Sequence, residues 1–352
     1  MHRLNIAIVG CGGIAHLHQR LWRKLPETQV VAVCDVNEKL ADQFARQYKI
    51  PGAYAQLSEL LARESISLVD ICTPPNAHLP LAVQAMEAGY HVLLEKPMAM
   101  TTEEAGKMVR CQKVTRVKLG VIHNFLFDPV VLRARSIIDR GDIGEIVSVE
   151  RTNINTKDDR MFGDNSHWCH TLPVGRLGES VVHDIYVLQH FLGRLEVGDV
   201  TVVKTNGYPW TPYDEAMIIF KSGKGLGMVH HSYDLSRISS TTTIYGKKAI
   251  LKIEHPPGII TKFPSLSHIA DDDRSYRLRF GLAFDVIWRN WQSLYSLAYL
   301  AMKVIRSRGG ITGHEIYFRL FVDSLLRGKE LPVSVEDAYE ATKVLEEVCN
   351  KI

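Results

Sequence analysis

The sequence predicts an α/β chain, with an N-terminal doubly wound parallel sheet followed by a C-terminal α+β domain built on an open, largely antiparallel sheet. Three observations carry this. Short apolar runs alternate with helical patterns over the first third of the chain. A glycine-rich turn separates the first run from the first helix. After about residue 145, strand-like runs follow one another with few helices between them. At 352 residues the chain is too long for one ordinary core. The expected division is 1–122 and 123–352, with C-terminal helices over 313–351 packing back between the two domains.

Leu4 to Val9 is a short apolar run, the pattern of a strand covered on both faces. Gly10-Cys11-Gly12-Gly13-Ile14-Ala15 breaks it, and a helical pattern runs to about Leu25. Strand, glycine turn and helix form the context in which G-x-G-x-x-G/A binds a dinucleotide, the Rossmann arrangement. Gly10 permits the tight turn, Gly12 leaves room for a pyrophosphate against backbone, and Ala15 lets helix and strand pack closely. Gly10, Gly12, Gly13 and Ile14 are therefore candidate cofactor contacts, and the helix N-terminus offers N–H groups to phosphate. The second strand, Val30 to Asp35, ends in an acid 25 positions after Gly10. A carboxylate there accepts from a ribose 2′-OH and repels a 2′-phosphate, which favours NAD over NADP.

Asn37 is placed to cap a helix to about Tyr48, closed by Pro51-Gly52, and Ser58 to cap a short helix through Arg63. Leu68–Cys72, His91–Leu94 and Val117–Val121 are the next strands. Helices are expected from about Ala77 to Ala88 and, behind the capping box Thr101-x-x-Glu104, to about Lys113. Parallel sheets hold ligands outside the carboxyl ends of their strands, so the turns after these strands face one cleft. The turn after Cys72 holds Thr73, Pro74, Asn76 and His78. After Leu94 comes Glu95-Lys96-Pro97, where proline keeps Lys96 out of helical geometry. Lys96 is a candidate donor to a substrate hydroxyl and Glu95 a candidate ribose acceptor. His123 and Asn124 follow Val121, with Asn124 a candidate cofactor contact.

In the second half, Asp128-Pro129 is placed to cap a helix to about Arg140, and a long strand is expected over 145–155. Residues 156–178 lack a clear period and hold Asp158, Asp159, Arg160, His167, Trp168, His170 and Arg176. Long loops of this kind are commonly functional. Arg160, Trp168, His170 and Arg176, with Tyr186 beyond them, are the candidate substrate contacts. Glu179 to Leu192 has helical spacing, and Glu179 and His183 stand i, i+4 on one face. A carboxylate beside an imidazole fixes its tautomer and raises its basicity. Oxidation of a carbinol needs a base for the hydroxyl proton, so His183 is the candidate base and Glu179 its partner. Further strands are expected at about 196–206, 215–222, 225–232 and 240–254. His167, His170 and His183 lie in a segment without paired thiols, and no metal site is expected. The stretch 280–305 is helical in pattern and crowded with Phe284, Trp288, Trp291 and Tyr295, flanked by Arg274, Arg277, Arg279, Lys303, Arg306 and Arg308. Its charge-free run, Asn290 to Met302, is 13 residues, too short to span a bilayer. Three destinations fit such an arm: a groove between domains, a partner subunit, or a membrane surface. Amphipathic helices over about 313–327 and 335–351 close the chain.

Hydrophobic content of 46% and charge of 23% are those of a soluble globular protein, and a net charge of +3 gives no electrostatic reason for nucleic acid. Six scattered cysteines without a C-x-x-C indicate free thiols in a reducing compartment. With no apolar leader ahead of the first strand, the expected location is cytoplasmic.

The glycine turn, Asp35, Thr73-Pro-Pro-Asn-Ala-His78 and Glu95-Lys96-Pro97 together resemble the glucose–fructose oxidoreductase / inositol dehydrogenase (Gfo/Idh/MocA) family. The resemblance covers essentially the whole chain, and the Glu-Lys-Pro step is its most specific part. It implies NAD(P)-dependent oxidation or reduction of a sugar or polyol. It also implies Lys96 as catalytic lysine, Glu95 and His78 near the cofactor, and a homodimer or homotetramer assembled through the second sheet. The family pattern places an Asp four residues before the His. Here Glu179 stands there, Gly175-Arg-Leu-Gly178 replaces the usual glycine run, and Tyr186 occupies the place of a second acid in many members. These departures leave the substrate open. Two other readings follow from the same residues: glycoside cleavage through transient sugar oxidation by tightly held NAD, and a cofactor-sensing protein with little catalysis.

Overall fold

The computed structural model describes residues 3–156, 159–205, 207–235, 238–255, 258–264 and 312–352, with positions 283, 284, 286–288, 291, 294, 295 and 298. Asp158, the side chain of Arg160 and most of the 280–305 stretch lie outside the described residues. Cα packing divides the chain into Met1–Asn124 with His314–Glu346, and Phe125–Gly313 with Glu347–Ile352.

The first unit holds a six-stranded sheet in the order β3-β2-β1-β4-β5-β6, with every pairing parallel. The strands are β1 (Leu4–Val9), β2 (Thr28–Cys34), β3 (Gly52–Tyr54), β4 (Leu68–Ile71), β5 (His91–Leu94) and β6 (Leu119–Val121). Helices α1 (Gly13–Lys24), α2 (Glu38–Tyr48), α3 (Leu57–Arg63), α4 (His78–Glu87) and α5 (Thr102–Thr115) connect them. The order reverses at β1/β4, which is the switch point where such sheets bind ligands. The strands are fully buried at their centres, as Ile6, Ala7, Val33, Val69, Leu93 and Leu119 show, which is why they are written in apolar residues without alternation. The expected caps are real at two helices. Asn37 accepts from Leu40 N at 3.3 Å, and Thr101 accepts from Glu104 N at 3.2 Å. Glu104 reaches back to Met100 N rather than to Thr101 N. Ser58 lies inside α3, whose cap residue is Gln56. The short strand β3 has no sequence counterpart among the expectations. Three residues beginning with glycine have no period to detect, and their place comes from pairing with Ala32 to Cys34.

The second unit holds a seven-stranded sheet in the order β13-β12-β11-β7-β10-β9-β8. These are β7 (Ile146–Ile154), β8 (Leu195–Val203), β9 (Glu215–Ser222), β10 (Gly225–Ser232), β11 (Ser239–Gly246), β12 (Ala249–His255) and β13 (Ile259–Pro264). Only β7 and β10 pair in parallel; the other ladders are antiparallel. The single strand expected over 240–254 is a hairpin. The chain turns at Lys247 and Lys248 because their N–H groups go to Glu145 O and Ile143 O, at 2.9 and 2.8 Å. Helices α6 (Pro129–Asp139), α7 (Arg160–Gly163) and α8 (Gly175–Leu192) complete the unit. Asp128 does not cap α6 with its side chain. Its Oδ1 accepts from Gly313 N at 3.0 Å, and burial raises its pKa to about 6.

Helix α8 begins a turn before the expected Glu179. Gly178 looks like a breaker in the sequence, but it sits inside the helix because a Cβ there would lie 2.3 Å from Pro173 O. Glycine answers a close approach of the preceding loop, and it costs the helix roughly 1 kcal/mol against alanine. The remaining helices, α9 (Gly313–Arg327) and α10 (Val335–Asn350), belong mostly with the first unit. Phe318 of α9 packs on Trp22, with ring centroids 4.4 Å apart, and Glu346 accepts from Thr102 N at the start of α5 at 2.9 Å.

Candidate active site

In the first unit, Gly10 has φ +90° and donates to Cys34 O at 2.8 Å. A Cβ at Gly10 would stand 2.9 Å from the Cys72 carbonyl, so the turn after β1 touches the turn after β4 and only glycine fits. Gly12 and Gly13 face the opposite situation: a Cβ at either would meet nothing within 4 Å. Gly12 is the cap residue of α1, no side chain caps the helix, and no acid stands in its first turn. Open space, uncapped N–H groups and the helix dipole together suit a phosphate. Asp35 braces this cradle. Its Oδ2 accepts from Cys11 N at 2.8 Å and its Oδ1 from Asn37 N at 2.8 Å. Each oxygen keeps a lone pair, enough for two ribose hydroxyls. Thr73 Oγ1, in the facing turn, is buried with no hydrogen-bond partner among the described residues. A buried orphan hydroxyl at the ligand edge of the sheet is the kind of group a bound dinucleotide satisfies. Pro74 is half-buried and Asn76 exposed in the same turn.

His78, expected near the cofactor, bridges two of the turns at this edge of the sheet. It is fully buried, with Nδ1 near Pro97 O at 3.0 Å and Nε2 near Thr73 O at 3.0 Å. Burial lowers its pKa against the pull of these carbonyls. His78 ties the turn after β4 to the turn after β5 and positions both. Asn124 is 8% exposed at the end of β6, beside a buried His123 whose pKa burial lowers to about 3.

Behind Lys96 lies a buried ionic cluster that the sequence did not announce. His18, on α1, is fully buried. Its Nδ1 is 3.0 Å from both oxygens of Asp70 and its Nε2 is 3.0 Å from Glu95 Oε1. Trp22 Nε1 donates to Asp70 Oδ2 at 2.6 Å. Glu95 Oε2 accepts from Lys96 N at 3.2 Å, and His314 Nε2 lies 4.0 Å from Glu95 Oε1. Burial opposes the charge on His18, but Asp70 overcomes it and holds the pKa well above the ordinary value. Burial likewise opposes ionised Glu95, and the hydrogen bond and charge of His18 bring it down to about 2. Glu95, expected at a ribose, thus spends one oxygen on His18 and offers the other to the backbone of Lys96. The side chains of His18, Asp70 and Cys72 also have metal-ligand types within 4.8 Å of one another. His18 and Trp22 Nε1 already engage the oxygens of Asp70.

In the second unit, nearly all of α8 is buried, while His183 is half-exposed. The ring of Phe125 stacks on His183 with centroids 4.6 Å apart. His183 Nδ1 lies 2.7 Å from Tyr186 Oη, which also accepts from Phe125 N at 3.3 Å. Tyr186 is 1% exposed. Expected as a substrate contact, it has its hydroxyl against the His183 imidazole. Glu179 Oε2 pairs with Arg176, whose guanidinium also reaches Asp159 Oδ2 at 3.3 Å and covers the Tyr233 ring at 5.2 Å. Arg176 is thereby tied to its own unit on three sides. Trp168 lies beside His167 with centroids 5.4 Å apart, and both ring nitrogens of His170 are shielded from solvent without a hydrogen-bond partner among the described residues.

A second buried network runs under α8. Asp184 receives Arg151 Nε at 2.9 Å and His231 Nδ1 at 2.7 Å. Burial opposes its charge, and His231 with Arg151 lowers its pKa nonetheless. His231 Nε2 lies 3.0 Å from Ser180 Oγ. The order Ser-His-Asp resembles a nucleophile triad, but Ser180 is 5% exposed and its hydroxyl is also engaged by Tyr233 Oη and Arg176 O. The hydroxyl has no approach for a substrate carbonyl. The network fixes α8 on β7 and β10.

A parallel sheet in this order, an uncapped glycine turn and a lysine at the β5 end define a dinucleotide-binding protein with a separate α+β unit. The model of the oxidoreductase family with an NAD-binding Rossmann fold matches residues 4–123, and that of the GFO/IDH/MocA C-terminal domain matches 131–252. The chain belongs to the Gfo/Idh/MocA family. Oxidoreductase P35 of Formosa agariphila is 29% identical over 199 residues, covering 55% of this chain and 62% of that protein. Levoglucosan dehydrogenase of Pseudarthrobacter phenanthrenivorans is 28% identical over 222 residues, covering 60% and 56%. The matches thus span little more than half the length of these relatives. The WlbA dehydrogenase of Bordetella pertussis, solved with NADH and UDP-GlcNAcA, shares the fold with a TM-score of 0.80, at 18% identity over 99% of this chain and 95% of that one.

Proposed function

We propose that the protein is an NAD-dependent oxidoreductase that interconverts a secondary alcohol and a ketone on a sugar, cyclitol or sugar nucleotide. The observation that carries this is the open, uncapped glycine cradle braced by Asp35, with Lys96 at the end of β5 backed by Glu95 and His18. NAD, when bound, supplies the hydride acceptor at C4 of its nicotinamide. Gly12, Gly13 and Ile14 hold its pyrophosphate, Asp35 its adenosine ribose, and Thr73 the edge of the cleft. His183 Nδ1 lies 2.7 Å from Tyr186 Oη, and in the tautomer that donates Nδ1–H to this oxygen Nε2 takes the proton of the substrate hydroxyl. Lys96 is the donor that stabilises negative charge developing on substrate oxygen. Arg176, Trp168 and His170 are the sugar contacts in this reading, with Arg160 included by its place in the sequence, and Glu179, one turn before His183 on the same helix face, is its orienting carboxylate.

The direct test incubates the purified protein and NAD with a panel of polyols, sugars and sugar nucleotides and follows absorbance of NADH. Accumulating NADH with one of them is the expected result. Glycoside cleavage without net NADH would identify transient oxidation instead, and NAD binding without turnover across the panel would identify a sensor. Asp35→Ser removes the carboxylate that repels a 2′-phosphate. Fluorescence titration is expected to show the NAD/NADP affinity ratio falling by about ten-fold or more; an unchanged ratio refutes the ribose contact.

The same reading includes a homo-oligomer, dimer or tetramer. Val203, Met217 and Leu226 are about half-exposed on the outer side of the second sheet, which favours assembly there. Light scattering after gel filtration measures it.

A further inference from the structure

We propose that the aromatic arm of the second unit docks on an anionic lipid bilayer. Phe284, Ile287, Trp288, Trp291, Leu294 and Tyr295 occupy helical positions and are each more than half exposed. Their spacing, three and four residues apart, puts them on one apolar stripe. Single exposed hydrophobes need no explanation, but a continuous stripe of this size on a folded unit does.

The chemistry of the surroundings selects the occupant. Trp288, Trp291 and Tyr295 form one wall of a cleft of about 470 Å³. The opposite wall is α6 and β13, which bring Arg133, Arg140 and Lys262 to the same space, with Asp142 bound to Arg140 at 3.0 Å. Between residues 271 and 308 the sequence holds seven Lys or Arg and four Asp, a net of +3, equal to the net charge of the whole chain. Arg133, Arg140 and Lys262, against the single acid Asp142, thus put positive charge beside the exposed rings. A second copy of the chain seated on this stripe through a two-fold axis would bring like charges together. A nucleic acid would meet the charge but would leave Phe284, Ile287 and Leu294 without an apolar partner. An anionic bilayer satisfies both. Indole and phenol rings settle at the headgroup level, aliphatic side chains enter the acyl boundary, and Arg and Lys contact lipid phosphates. The longest charge-free run here, Asn290 to Met302, is 13 residues, too short to span a bilayer, so the docking proposed is to its surface.

The test is flotation of the full-length protein with phosphatidylcholine vesicles, with and without phosphatidylglycerol. Flotation with the anionic vesicles alone, weakening as salt is raised, is expected. Trp288→Ser/Trp291→Ser/Tyr295→Ser is expected to reduce partitioning by about ten-fold or more, with circular dichroism unchanged because these side chains are exposed. Should that variant misfold, the wild type still decides the matter, since lipids brominated on their acyl chains quench tryptophan fluorescence only if indoles enter the bilayer. Three results overturn the proposal: no flotation, equal flotation with neutral and anionic vesicles, or self-association abolished by the triple variant in a protein that does not float. None of these readouts depends on turnover, so the docking surface and the proposed reaction stand or fall separately.

Discussion

His183→Ala is expected to reduce turnover by about 10²- to 10⁴-fold, the usual worth of a positioned general base, with NAD affinity nearly unchanged. Lys96→Ala is expected to act similarly, since a donor aimed at developing oxyanion charge is worth about 10²- to 10³-fold. The two should differ in their pH profiles. Removing the imidazole removes the limb of kcat/KM that reports the base in the free enzyme, whereas removing the lysine leaves that limb in place. Tyr186→Phe separates holding from reacting. It deletes only the hydroxyl 2.7 Å from Nδ1, so it is expected to shift the limb and lower kcat without affecting KM for NAD. Steady-state kinetics on the best substrate from the panel, with isothermal titration of NAD, measure all three variants. Loss of NAD binding on replacing His183, or unchanged kcat on replacing either catalytic residue, sinks the assignment.

How much of this was legible in the sequence follows from the range of the interactions. The strands of the first sheet are continuous apolar runs bounded by glycine or proline, and that signal is local. So is the glycine turn, and so is the placement of Lys96 before a proline. The second sheet was legible through its alternating residues except where long-range hydrogen bonds decide the course of the chain, as at Lys247 and Lys248. The start of α8 was missed because Gly178 serves a contact with Pro173 that no local rule contains. Within the site, residues were found by type and by position at a strand end or on a helix face. Their partners were not. His18 is 52 residues from Asp70 and 77 from Glu95, and nothing in the pattern of α1 distinguishes it from a core histidine. One sign was present: Asp70 sits in the middle of an apolar strand, where an unpaired carboxylate is untenable. The i, i+4 spacing puts Glu179 and His183 on one face of α8, but no spacing rule shows Tyr186 at Nδ1 of His183 or Arg176 at Glu179.

The largest effect on stability is expected at His18. Its imidazolium stands between two buried carboxylates, and burial alone would expel all three charges. His18→Gln keeps hydrogen-bonding capacity and removes the positive charge, leaving Asp70 and Glu95 facing each other through a neutral amide. Breaking a buried ion pair by removing one partner costs about 3–5 kcal/mol. The pH dependence identifies the cause. Glu95 has its folded pKa depressed to about 2 from an ordinary 4.5. Its contribution is therefore fully present above pH 4.5 and is lost as pH falls from there toward 2. His18 has its folded pKa raised from 6.5, so its contribution is complete below 6.5 and disappears only as pH rises through the higher folded value. The wild-type denaturant midpoint should thus fall between pH 4.5 and 2. In His18→Gln that acid limb should flatten, because Glu95 no longer gains from ionising when folded. Adding Glu95→Gln to His18→Gln should recover part of the loss, a coupling that additive effects would not give. Chemical denaturation across pH, followed by the fluorescence of Trp22 and its neighbours in the first unit, supplies the measurement. A His18→Gln protein within about 1 kcal/mol of wild type at neutral pH, or one with the wild-type acid limb intact, would show that the cluster does not hold Glu95 in its charged form.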